Sequence, residues 1–114
     1  MLWKWWYTLT IGKQVDDLYS AIKFSKSREY INIELFGYSI CALVSLKGYS
    51  PDIKTRVLWS PITTKVKYNW DEKLSKDQLQ ELTDKGYYTR TRKNAIRTNY
   101  KIGKQMLIDR ENVN

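Results

Sequence analysis

The chain has 114 residues, of which 42% are apolar, 28% charged and 14% aromatic, and its 20 basic against 12 acidic side chains give a net charge of +8. That length fits one core and predicts a single domain over residues 1–114. The absence of histidine, with Cys41 as the one cysteine, excludes an internal disulfide, Cys/His zinc clusters and a histidine base within these residues.

From Trp3 to Ile11 apolar and polar residues alternate, which predicts a strand with one buried face. After Gly12, Val15, Leu18, Tyr19 and Ile22 keep helical spacing, with Asp16 and Asp17 in the expected first turn and Lys23, Lys26 and Arg28 near the end, as the helix dipole favours. Tyr30 to Phe36 alternates again. Ser39 to Leu46 is apolar on both faces and reads as a central strand, joined to its predecessor by a hairpin at Gly37-Tyr38. Cys41 falls in that apolar run and is expected to be an inert core thiol. The longest apolar stretch, Leu35 to Leu46, is about half of the ~20 residues that span a bilayer. The N-terminus has no apolar signal core, so no membrane association and a cytoplasmic location are expected, the protein being intracellular or viral and made inside its host.

Lys47 to Asp52 is rich in breakers and reads as a loop. A strand from Ile53 to Trp59 follows, then a bend at Pro61 and an alternating strand from Ile62 to Trp70. Ser75 with Gln78 forms a capping-box pattern, Leu74 with Leu79 has the spacing of a hydrophobic staple, and Gly86 is a stop, which together predict a helix over Lys76–Lys85. The expected fold is α+β, an antiparallel sheet of about five strands with one crossing helix and two C-terminal helices, the last strongly basic.

That last helix carries the functional expectation. Lys85 to Ile108 holds seven basic residues and no acid, and on a helix Arg90, Lys93, Arg97, Lys101 and Lys104 fall on one line. Such a stripe neutralises phosphates and releases counterions, and Arg92 lies beside it. Lys65 and Lys67, with Lys47, Lys54 and Arg56, form a second basic group. Tyr87 and Tyr88 at the turn into the helix, and Trp6 on the first strand, are candidates for stacking on unpaired bases. The expected function is a non-enzymatic module that contacts the phosphate backbone of RNA or duplex DNA with low sequence specificity. The alternative is a small adaptor or inhibitor docking on an acidic protein surface, or a structural subunit of a larger assembly. No cofactor is expected.

Pro51-Asp52 followed by Asp71-Glu72-Lys73 resembles the Pro-Asp, Asp/Glu-x-Lys pattern of a large nuclease superfamily. That resemblance implies two acids holding Mg²⁺ and a lysine orienting the attacking water. The competing reading, a turn aspartate and the charged approach to a helix, is the one adopted here, with no metal site.

Overall fold

The computed structural model describes residues 8–62, 67, 69–94, 96 and 98–112. The chain divides into two compact units, one of residues 11–64 and the other of residues 1–10 with 65–114.

In the unit of residues 11–64 the order is α1 (Ile11–Ser27), β1 (Ile33–Tyr38), α2 (Ile40–Lys47) and β2 (Ile53–Trp59). The helix α1 was legible from its apolar spacing, and it buries Ile11 and Ile22. The segment expected to be a central strand is instead the helix α2, which buries Ala42, Leu43, Val44 and Ser45. The physical reason lies in the connection: β1 and β2 run parallel, from Ile33 opposite Ile53 to Tyr38 opposite Trp59, and parallel neighbours need a crossover rather than a hairpin. The apolar run supplies it, and α2 packs on both strands and on α1. Along β1 the inward positions are Ile33, Leu35 and Gly37, while Glu34, Phe36 and Tyr38 face outward. A 2.9 Å ion pair between Lys26 and Asp52 ties the end of α1 to the loop before β2, and hydrogen bonding to Lys26 holds the Asp52 carboxyl below its usual range.

The other unit contains α3 (Trp70–Lys73), α4 (Lys76–Lys85), β3 (Tyr87–Thr91), β4 (Asn99–Gly103) and α5 (Lys104–Glu111). The expected start and stop of α4 are both present. The Gln78 N–H donates to Ser75 Oγ at 3.2 Å, the Ser75 N–H donates to Gln78 Oε1 at 2.9 Å, and Gly86 closes the helix in the left-handed region at φ 77°.

The predicted long basic helix does not form. β3 and β4 are an antiparallel pair, from Tyr87 opposite Gly103 to Thr91 opposite Asn99, and helix resumes only at Lys104. Tyr87, Tyr88, Thr89, Thr91, Tyr100 and Ile102 are aromatic or β-branched and favour a pleated, half-buried surface. Asn94 takes a positive φ of 62° within the turn between them. The fold is thus α+β with five helices and two small two-stranded sheets among the described residues, one parallel and one antiparallel, not a five-stranded antiparallel sheet. The predicted strand at Trp3–Ile11 lies largely outside the described residues, and Ile11 itself begins α1. Much of the predicted strand Ile62–Trp70 is also outside them, and Trp70 opens α3. No helix among the described residues is long and apolar enough to cross a membrane.

Candidate active site

At the C-terminal edge of the parallel pair two residues with side chains, Ser39 and Ser60, take a positive φ. Between the last residue of β1 and the first of α2 stands a single residue, Ser39, at φ 55° and ψ −117°. A residue with a Cβ is rarely found there, and holding it costs on the order of 1–3 kcal/mol. Two hydrogen bonds fix the turn: the Ser39 N–H donates to Trp59 O at 2.9 Å, and Ser39 O accepts from the Ala42 N–H at 3.1 Å. Trp59 ends β2, so the elbow is stitched to the neighbouring strand end. The next residue, Ser60, also has a positive φ, of 46°.

Gly37 makes the sharp reversal fit. A Cβ at this buried position would lie 2.6 Å from Ala42 Cα, 2.8 Å from Cys41 O and 2.9 Å from Ala42 N, all backbone atoms that cannot swing aside. The strand and the returning helix therefore touch backbone to backbone. Ser39 Oγ is bound by no backbone N–H of α2. The Ile40 and Cys41 N–H groups occupy the first two positions of α2, where a helix has no internal acceptor for them.

A serine on a strained strand-to-helix turn, two residues after a glycine pressed against the helix, is the arrangement of a nucleophile elbow. Such a turn lifts the hydroxyl out of the sheet, next to the N–H of the following residue, here Ile40, and the positive end of a helix, where a developing oxyanion is stabilised. The local sequence is Gly37-Tyr38-Ser39-Ile40-Cys41, in which Cys41 stands where the Gly-x-Ser-x-Gly pattern has its second glycine. The Cys41 thiol is exposed and not buried in a core as expected. Beside the elbow, the outward rings Phe36 and Tyr38 of β1 meet Trp59 edge to face, with centroids 6.4 and 6.2 Å away, and Trp59 is 63% exposed.

The residues singled out from the sequence are distributed differently. Arg90 and Lys101 stand on β3 and β4, Arg92 follows β3, Lys93 is in the turn, Lys104 opens α5, and Arg97 is outside the described residues. They form no stripe. Tyr87 carries Lys101 over its ring, with Nζ 4.6 Å from the centroid and 3.3 Å from the hydroxyl, and Tyr88 is buried. Lys65 and Trp6 lie outside the described residues, and Lys67 is exposed. The non-enzymatic nucleic-acid module is therefore corrected: the cationic helix face on which it was built is a strand, a turn and a second strand. Asp52 and the Asp71-Glu72-Lys73 segment fall in different units, and no cluster of three metal-ligating side chains occurs among the described residues.

Ser39 itself was missed. The signal was its position two residues after Gly37, between an alternating strand and an apolar run, but residues 40–46 read equally as a buried strand.

No protein-family model matches the chain, and no curated protein matches it. Among solved structures it is similar to the crystal structure described as "Putative hydrolase from Agrobacterium vitis S4", with a TM-score of 0.64 at 14% sequence identity. The match covers 91% of this chain and 42% of that one, so the chain spans less than half the length of the protein whose fold it shares.

Proposed function

We propose that this chain carries the serine nucleophile of an acyl hydrolase, with Ser39 Oγ as the attacking atom. The observation that carries the reading is the backbone of Ser39, held at φ 55° and ψ −117° between a parallel strand and the helix that follows it. Strain of this kind at a strand end is characteristic of functional turns, and ligands of parallel sheets bind at the carboxyl ends of the strands. The likeness in fold to a protein described as a hydrolase agrees with this reaction class.

In the proposed reaction Ser39 Oγ bonds to the carbonyl carbon of an ester, and the oxyanion forms against the Ile40 N–H. The ester C–O bond then breaks, and the alcohol departs with the proton that the serine has lost. Water cleaves the acyl-serine, releasing the acid and restoring the hydroxyl. The 114 residues contain no histidine, so the serine proton has to pass to a base other than an imidazole of these residues. Imidazole in solution can stand in for it.

The test is labelling by a fluorophosphonate, which captures activated serines, with the modified peptide identified by mass spectrometry. Label on Ser39, faster with added imidazole and absent from Ser39→Ala, is the expected result. Equal labelling of the parent and Ser39→Ala, or none at Ser39 with imidazole present, would overturn the proposal.

A further inference from the structure

A second candidate site is built wholly from the unit of residues 1–10 and 65–114 and shares no residue with the Ser39 elbow. A cleft of about 610 Å³ opens between the hairpin and the helices α3 and α5, a size that suits a small organic ligand. Its apolar walls include Leu74, Ile102, Met106 and Leu107, and Leu107 is 4% exposed. Lys73, Arg90, Lys101 and Arg110 also line it, and no carboxylate among the described residues does.

The hairpin register explains how apolar and cationic groups come together. Tyr88 stands opposite Ile102 and Arg90 opposite Tyr100, so these four alternate positions share one face of the pair. Arg90 thus projects from the same face as the buried Tyr88. Burial raises the pKa of the Tyr88 hydroxyl, opposed in part by the positive charges of Arg90 and Arg110. Arg90, Arg110 and Tyr88 thus line one partly apolar cleft. The Arg90 guanidinium has no ion pair among the described residues.

We propose that this cleft binds a small carboxylate with an apolar tail. Arg90 takes the carboxylate, and the tail lies along Leu74, Ile102 and Leu107. Guanidinium suits this head group because its planar fork matches the two oxygens of a carboxylate. The aliphatic and aromatic lining selects against small hydrophilic anions such as acetate.

Isothermal titration calorimetry of the full chain with decanoate, acetate and decyltrimethylammonium tests both halves of the site. Saturable binding is expected for decanoate alone. Arg90→Gln should weaken it about tenfold or more, the usual effect of losing one charge-assisted hydrogen bond, while Arg92→Gln, on the same hairpin but outside the cleft, leaves it unchanged. Circular dichroism confirms that both variants fold. Absence of decanoate binding, equal binding of decyltrimethylammonium, or equal losses in the two variants would each overturn the assignment, the last because it would mean attraction to net charge only. Fluorophosphonate labelling of Ser39 does not depend on this outcome, so the two proposals fail separately.

Discussion

Replacing Ser39 with glycine should stabilise the protein while removing its proposed nucleophile. At ordinary positions the reverse holds for stability, since glycine costs about 0.5–1 kcal/mol more backbone entropy than alanine. At φ 55° and ψ −117° the Cβ of any other residue adds strain on the order of 1–3 kcal/mol. Subtracting the entropy leaves a net gain of about 1 kcal/mol for Ser39→Gly. Ser39→Ala keeps the Cβ and therefore the strain, so it serves as the reference that lacks only the hydroxyl. In urea unfolding followed by circular dichroism, with a denaturant slope of about 2 kcal/mol per molar, the glycine variant should unfold about 0.5 M later than the alanine variant. Both should be inert to fluorophosphonate. A glycine variant that unfolds at the same urea concentration as the alanine variant, or earlier, would mean that the turn is unstrained and would remove the main support for the elbow.

Gly37→Ala should destabilise by about 1–3 kcal/mol in the same assay, because its Cβ would be driven to within 2.6 Å of Ala42 Cα. It should also slow labelling of a serine whose hydroxyl is untouched. Glu81→Ala should cost about 1–2 kcal/mol, since Glu81 accepts from the Thr89 N–H at 2.9 Å and from the Thr89 hydroxyl at 2.8 Å. Burial opposes ionisation of the Glu81 carboxyl, but the two bonds from Thr89 and the nearby Lys85 and Lys101 outweigh it and leave the pKa below 4.5. Its contribution is thus complete above that value and lost as pH falls through the lower folded one. Melting temperatures measured between neutral and acidic pH should show a smaller acid-side loss in Glu81→Gln than in the parent.

Local signals with a chemical cause survived the passage from sequence to structure. The Ser75–Gln78 pair and Gly86 bounded α4 because capping depends on side chains within one turn of the helix end. The spacing of Val15, Leu18 and Ile22 likewise marked α1. What failed needed information from elsewhere in the chain. Residues 40–46 are apolar all round, and only the parallel pairing of β1 with β2 makes them a crossover helix. In the basic segment, the helical spacing of Arg90, Lys93, Arg97, Lys101 and Lys104 was weighed above the strand preference of Tyr87 to Thr89 and Tyr100 to Ile102. At a period of two, Arg90 and Lys101 fall on opposite faces of the hairpin, as its register requires. Ser39 was hidden by the first of these errors, because a hairpin turn at Gly37-Tyr38 left no place for an elbow.

The contacts around Thr89 also decide how the hairpin meets other chains. An exposed strand edge offers unpaired N–H and C=O groups to any extended peptide. On β3 both backbone groups of Thr89 are taken by α4: the N–H by Glu81, and the C=O by Gln78 Nε2 at 3.0 Å. Two helical side chains thus imitate the hydrogen bonds of a missing neighbour. A third strand arriving on that side would have to displace an amide and a carboxylate before pairing at the middle of β3, so this border of the sheet resists templated growth without a proline or a bulge.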